Sequence, residues 1–257
     1  MSNLDLTIIT PSYNSESTIE STCVSIQSLV SNGAEHIIVD SYSTDETVKI
    51  AKRFSNIILH YPKGNMYEAI NFGIKHSTRK FITYINSDDL LHAHEILKLQ
   101  TKISKCDLLY GNISFIDIKG VKLFSRRSAP SILLNFVGRY YNPIFQQGMI
   151  FKRELFDRIG PFDTSYRYSA DMDFILNAIY SGATFYKTNS LLGSFRLSES
   201  QLSTREWDIM QLEGPVIRQK LINKFNLKTN FLSKYVSRLI RYIYNLDLII
   251  LGYVKFK

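Results

Sequence analysis

Tyr84-Ile85-Asn86-Ser87-Asp88-Asp89 decides how this chain is read, because the apolar run Phe81 to Ile85 breaks off in two adjacent carboxylates. A strand that ends this way belongs to an open α/β sheet, where ligands collect at the carboxyl ends of parallel strands. The oxygens released there are of the kind that hard divalent cations take. An acidic turn opening the next helix is the plain alternative, since Asp is common at turns and helix starts.

Reading outward from this stretch, strands and helices alternate. Leu6 to Thr10 is a β-branched run that stops at Pro11-Ser12-Tyr13-Asn14. Ser17 with Glu20 has capping-box spacing ahead of a helix through Leu29, and Ser43 with Glu46 repeats it before a helix through Phe54. His36 to Asp40, Asn56 to Tyr61 and Lys80 to Ile85 read as further strands, and Met66 to His76 as a helix with Ile70, Gly73 and Ile74 inward. Such alternation predicts β-α-β units and a largely parallel sheet. Beyond Asp89 the pattern loosens: a helix over His94 to Ser104, an extended Asp107 to Asn112, a hairpin turning at Lys119-Gly120 and an aromatic stretch from Leu133 to Phe145. A strand Gly148 to Phe151 follows, then a helix Arg153 to Ile159 stopped by Gly160-Pro161, and a helix from Ala170 to Tyr180 capped by Ser169.

A chain of 257 residues, 45% apolar, suffices for one large α/β domain with an appendage. Its two cysteines, Cys23 and Cys106, form no Cys-x-x-Cys or Cys/His cluster, which disfavours a disulfide framework or zinc site and fits a reducing cytosol. Met1 to Leu6 lacks the features of a signal peptide, so secretion by that route is not expected. Nine of the 31 basic residues and one of the 23 acidic ones lie from Arg218 onward, which leaves residues 1–217 with 22 of each. The net charge of +8 is thus carried by the tail, which argues for attraction to an anionic surface and against a nucleic-acid groove.

Four segments then resemble the family 2 glycosyltransferases in order and spacing. They are Ile9 to Asn14; Val39-Asp40-Ser41-Tyr42-Ser43-Thr44-Asp45; Gly64 to Gly73 leading to Asn86-Ser87-Asp88-Asp89; and Gly160-Pro161-Phe162-Asp163 followed by Ser169 to Asp173. The resemblance covers roughly residues 5 to 200. It implies a GT-A fold, that is, an α/β Rossmann-like, mostly parallel central sheet flanked by helices, here with a carboxyl-terminal helical tail. It further implies a nucleotide-sugar donor (UDP by family habit, with dTDP or GDP as alternatives), Mg²⁺ or Mn²⁺ as cofactor, and inversion at the anomeric carbon. The acceptor implied is a saccharide or lipid-linked acceptor of cell-surface polysaccharide (O-antigen, capsule or exopolysaccharide) biosynthesis.

On these motifs the resemblance places the nucleotide pocket along Pro11, Ser12 and Tyr13, with Asp40 accepting from a base N–H or a ribose hydroxyl. Asn71 lies on the helix that faces the donor, and Arg196, in the loop-like stretch Phe195 to Ser200, is positioned to pair with a phosphate. Core packing for Tyr13, solvent or capping for Asn71 and an ordinary surface role for Arg196 are the alternatives. Asp88 is the metal ligand. Asp89 is counted with it at the metal, reaching it through water, or else opens the helix or binds ribose. Asn86 stands where a first carboxylate is usual, at the donor site, which weakens metal dependence. Asp171 and Asp173 point about 200° apart on one helix, so only one enters the cleft; the resemblance selects Asp171 as the catalytic base. Gln146-Gln147 and Asn177 depart from the family pattern and put acceptor recognition in doubt.

The domain layout expected is 1–204 for the transferase domain, split into a nucleotide-sugar half (1–112) and an acceptor half (113–204), and 205–257 for a basic amphipathic helical region. Leu232, Val236, Leu239, Ile243, Leu246 and Ile250 share one helical face opposite Lys234, Arg238 and Arg241. That pattern predicts peripheral contact with an anionic membrane surface on the cytoplasmic side, against packing on the domain or on a second copy as a homodimer. Three other classes were weighed: a dinucleotide dehydrogenase, disfavoured because no Gly-x-Gly-x-x-Gly follows the first strand; a nucleotide-sugar-binding protein of the same fold without turnover; and a nucleic-acid binder.

Overall fold

All seven residues of β1, Leu6–Ser12, are buried, because this strand is covered by helices on both faces and paired on both edges. A computed structural model describes residues 4–55, 57–198 and 207–245, the last stretch with side chains from residue 211. After β1 come α1 (Ile19–Ser31), β2 (Glu35–Asp40), α2 (Thr47–Ala51), β3 (Ile57–His60), α3 (Met66–His76) and β4 (Phe81–Tyr84). The order β3-β2-β1-β4 is parallel throughout, in a register that sets Ser12 beside Asp40 and Ile9 beside Tyr84. The carboxyl ends of these strands therefore open on one edge.

The second half begins with β5 (Leu90–Leu91), α4 (Ala93–Leu97), α5 (Gln100–Ile103), β6 (Leu108–Ile116) and β7 (Lys122–Arg126). A 3₁₀ turn at Ser131–Leu133, α6 (Leu134–Val137) and a second 3₁₀ turn at Gln146–Gly148 lead to β8 (Met149–Lys152), α7 (Arg153–Ile159) and α8 (Ala170–Tyr180). β9 (Phe185–Arg196), α9 (Trp207–Lys224) and α10 (Phe231–Ile243) follow. One nine-stranded sheet results, ordered β3-β2-β1-β4-β8-β6-β9-β5, with β7 paired to the outer half of β6. The antiparallel β8 joins β4 to β6, whereas β6 and β9 run parallel. β6 crosses residue 112 without a break.

α3 and α8 begin and end at the residues expected, and α7 stops at Gly160, whose φ of +96° only glycine adopts freely. Two expected capping boxes do not form. Ser43 spends its hydroxyl on Asp40, and α1 starts at Ile19 on a turn closed by the Ser15 carbonyl. The capping box that does form, Asn65 with Glu68, heads α3. The helix expected over His94 to Ser104 is split into α4 and α5, and β9 was not foreseen at all. Phe195 and Arg196 close this strand and are not part of a loop.

On one face of the sheet α3, α7 and α8 enclose an aromatic cluster in which Phe162 meets Phe174 at 4.8 Å and Tyr84 at 5.4 Å between ring centroids. Apolar residues of α1, α4 and α5 cover the other. Gly193 of β9 admits the second 3₁₀ turn: a Cβ there would stand 2.2 Å from the Gln147 carbonyl oxygen. α9 packs on α8 through the buried Ile217 and Leu221. α10 docks with its narrow polar side, burying Ser237 and half-burying Ile240, and turns Leu232, Val236, Leu239 and Ile243 to solvent. The remaining members of that stripe, Leu246 and Ile250, lie outside the described residues. Among the described residues no helix is long and apolar enough to cross a membrane.

Candidate active site

At the end of β4 the chain turns so that the Asp89 N–H donates to the Asn86 carbonyl at 3.1 Å. This tight turn sends the two carboxylates in different directions. Asp89 is wholly buried: Oδ1 accepts the Arg196 backbone N–H at 2.9 Å, and Oδ2 accepts Gln147 Nε2 at 2.9 Å and Asn86 Nδ2 at 3.5 Å. Burial, then the neighbouring Asp88 charge, pushes its carboxyl well above the usual range. Asp88 remains partly exposed. Asp89, expected at the metal, turns its oxygens inward, where both already hold partners. Asn86 keeps its Oδ1 buried without a hydrogen-bond partner among the described residues.

Arg196, expected to pair with a phosphate, is likewise turned inward. Its Nε donates to the Asp88 carbonyl at 2.6 Å, Nη1 to the carbonyls of Ile118 and Asp117 at 2.9 and 3.3 Å, and Nη2 to Ser21 Oγ at 3.1 Å. At 5% exposure it is a strut under the 86–89 loop with no guanidinium edge free for a phosphate. Gln146 and Gln147 serve the same loop, Gln146 by donating to the Tyr84 carbonyl at 2.7 Å.

At the ends of β1 and β2, Asp40 is fully buried, accepting from Ser12 Oγ at 3.1 Å, Ser43 N–H at 2.8 Å and Ser43 Oγ at 2.5 Å. It ties two strand ends together beneath the rim. Pro11 and Ser12 are buried with it, and Tyr13 is exposed, with Lys63 Nζ 4.0 Å from its ring centre. Tyr42, held at a φ of +57°, stacks on His60 at 5.4 Å. Sequence reasoning missed Tyr42, His60 and Lys63 as rim residues. Their one signal is position, at or just past the ends of β2 and β3.

The opposite wall is built from α3. Asn71 clamps Phe162 by donating to its carbonyl at 2.8 Å and accepting its N–H at 3.1 Å, while Asn65 Nδ2 donates to the carbonyls of Thr164 and Tyr166 at 2.8 and 2.7 Å. Asn71, expected on the donor-facing side, thus spends both ends of its amide on Phe162. Tyr67 Oη lies 3.1 Å from both Asp171 Oδ1 and the Tyr168 carbonyl oxygen. Its place in the Gly64–Gly73 motif was noted in the sequence, but its reach to Asp171 was not.

Asp171 and Asp173 separate as the helical angle requires. Asp173 is buried and bridged by Lys220 Nζ at 3.0 Å, the same ammonium standing 3.0 Å from Asp163. Asp171 stays partly exposed, and burial lifts its carboxyl to about 6 against the hydrogen bonds from Met172 and Tyr67 that lower it. α9 also braces this segment through Glu213, whose carboxylate accepts the N–H groups of Arg167 and Tyr168 at 2.7 and 3.0 Å. Among the described residues no three His, Cys, Asp or Glu side chains cluster to hold a metal.

A parallel half-sheet with carboxylates gathered at its strand ends defines an open α/β protein, a class whose ligands lie in the crevice outside those ends. Comparison gives the family: the chain belongs to glycosyl transferase family 2, whose model matches residues 7–168. Among relatives, an uncharacterised glycosyltransferase of Rickettsia typhi is 25% identical over 219 residues, 81% of this chain and 68% of that protein. A PGL/p-HBAD biosynthesis glycosyltransferase of Mycobacterium bovis is 28% identical over 177 residues, 65% of this chain and 66% of that one. The matched regions thus span about two thirds of these relatives. Among solved structures, residues 1–349 of Staphylococcus aureus TarS with UDP-GlcNAc superpose with a TM-score of 0.65 at 18% identity, covering 93% of this chain and 71% of that one. The mannosyltransferase PcManGT of Pyrobaculum calidifontis with GDP-Man and Mn²⁺ gives 0.62 at 18% identity, with 93% and 70% covered. The fold is GT-A.

Proposed function

We propose that this protein is a metal-dependent, inverting glycosyltransferase that moves a sugar from a nucleotide-sugar donor, UDP-linked by preference, to a hydroxyl of a saccharide or lipid-linked acceptor in cell-surface polysaccharide synthesis. One observation carries the reading: each of the two carboxylate pairs at the strand-end crevice buries one member and leaves the other, Asp88 or Asp171, partly open.

The donor set suits a cation such as Mg²⁺ or Mn²⁺. Asp88 and the unpartnered Asn86 Oδ1 offer few protein ligands, as expected for a cation that completes its shell with donor phosphate oxygens. Bound there, it supplies Lewis-acid stabilisation of the charge on the departing diphosphate. Asp171 accepts the proton of the acceptor hydroxyl as that oxygen bonds to the anomeric carbon, and the bond to the diphosphate oxygen breaks with its electron pair leaving on the nucleotide. Tyr67 holds the carboxylate in place by donating to Oδ1. Tyr13, Tyr42 and Lys63 provide the rim on which the nucleotide rests, above Pro11, Ser12 and Asp40. The outward stripe of α10, flanked by Lys234 and Arg238, favours a peripheral position on the inner face of the cell membrane.

The test is thermal unfolding with UDP-, dTDP- and GDP-sugars, each with and without Mg²⁺ or Mn²⁺. One donor at a hundredfold its Kd is expected to stabilise by about 2.7 kcal/mol, and only with metal present. Stabilisation by no nucleotide-sugar would overturn the assignment.

A further inference from the structure

Two arginines of this fold, the half-buried Arg153 and the buried Arg196, each make four hydrogen bonds, whereas the half-buried Arg126 leaves its Nε without a partner among the described residues. Arg153 donates to the carbonyls of Ile74, Ser77 and Arg79 and to Ser77 Oγ, and Arg196 is spent under the 86–89 loop. Arg126, at the end of β7 opposite Ile113, lies 5.4 Å from the centre of the Phe145 ring, with a buried Nε that has no partner among the described residues. Arg241 of α10 stands 5.5 Å from the Tyr141 ring centre on the same wall. Burial, then the Arg241 charge, pulls Arg126 down to about 10, so it remains cationic at neutral pH. Among the described residues neither Arg126 nor Arg241 is ion-paired to a carboxylate.

Like charges gathered without counterions are costly, and a guanidinium left bare is shaped for phosphate oxygens. The site also lies away from the nucleotide rim. β7 hangs from β6, beyond β4 and β8 from the strands that carry Ser12 and Asp40. Phe145, under Arg126, leads directly into the turn whose Gln147 holds Asp89. Arg241 shares its helix with the outward Leu239 and Ile243.

We propose that Arg126 and Arg241 form an anion site for a phosphate or diphosphate ester carried by the acceptor, with an attached lipid chain running toward the exposed stripe of α10. This rests on the transferase reading above. The assay is calorimetric titration of the full-length chain, without divalent metal, using inorganic diphosphate and decyl diphosphate, and in a separate arm sedimentation with phosphatidylglycerol vesicles. The expected result is diphosphate binding that survives saturating UDP, is tighter for the decyl ester, and weakens roughly 10–100-fold in Arg126→Gln and in Arg241→Gln, the loss typical of a hydrogen bond to a charged group. Vesicle binding should persist in both variants. Arg126→Gln should also melt at or above the wild-type temperature, since it removes a half-buried charge that stands beside Arg241 with no counterion among the described residues. Displacement of diphosphate by UDP, unchanged affinity in both variants, a lower melting temperature for Arg126→Gln, or loss of vesicle binding with diphosphate binding intact would each overturn the site. Donor-dependent stabilisation of both variants, measured in parallel, reports on the transferase reading separately.

Discussion

The loop 86–89 and the helix start 169–173 each carry two carboxylates and divide them alike, one inward and one outward, but they satisfy the inward member by different means. Asp89 is held by neutral donors, the Gln147 amide and a backbone N–H, and its carboxyl is pushed far up by burial. Asp173 is held by an ammonium, Lys220, that reaches it from α9. Neutral donors keep the first pair inside a single sheet edge, whereas the ion pair makes the second depend on a helix beyond residues 7–168, the part matched by the family model. Buried carboxylates thus act as anchors that aim their neighbours, and the two anchors should fail differently.

The sharpest separation of the outward members comes from Asp171→Asn. The amide keeps the contact with Tyr67 but accepts no proton, so transfer should fall by ~10²–10⁴ while nucleotide affinity holds. In the wild type the carboxyl has to be ionised to act. With its carboxyl at about 6, kcat/KM should rise with pH to a half-maximum near that value and fall tenfold per unit below it. The sign for stability is opposite. A carboxylate raised in the fold binds its proton more tightly there than in the unfolded chain, so its contribution declines as pH rises from about 4, the unfolded value, to about 6. Asp171→Asn should then be the more stable protein at pH 7 and indistinguishable below pH 4. Wild-type turnover in this variant would move the base elsewhere.

Asp88→Ala comes next. Removing a direct ligand should weaken metal-dependent donor binding by at least the ~10–100-fold that outer partners cost, with metal-independent affinity preserved. Titration of donor with and without Mn²⁺ measures the difference; equal Mn²⁺ enhancement in the folded variant would detach Asp88 from the metal.

The smallest effect tests the inward anchors. Lys220→Met should cost about 1–2 kcal/mol, since Asp173 loses its cation but the ammonium, 41% exposed, is already screened by water. The companion change Asp173→Asn should restore most of that in the double variant, as read from denaturant midpoints. Full additivity would mean that the pair does not couple.

Much of the amino-terminal half was legible because its signals are local. β-branched runs, the Asn65 to His76 helix and the Gly160-Pro161 stop all declare themselves within a few residues, and the strand-end motifs name the crevice. The second half hid what it makes from distant partners. β9 alternates poorly and pairs with β6 from nearly eighty positions away, so nothing near Phe185 announces a strand. For the same reason Arg196 looked like a loop residue when it is the strut of the 86–89 turn. Asn71 and Arg196 were expected to face the ligand, and both find intramolecular partners, since sequence tells that a donor group is present, not which acceptor it finds. The amphipathic pattern of α10 was plain, but which face docks was not; the protein buries Ser237 and shows the leucines.

Gly193 gives the long β9 an index mark. Only the absence of a side chain lets the strand pass under the Gln147 carbonyl, where a Cβ would stand 2.2 Å away. Slipping β9 by one position would present Leu192 or Ser194 to that carbonyl and also turn every side chain of the strand to the opposite face. Misaligned assembly is therefore blocked sterically at a single point, and the same point keeps Gln147 seated against Asp89. A strand joined to its partner across so much intervening chain has many wrong alignments open to it while folding, and this gap admits one.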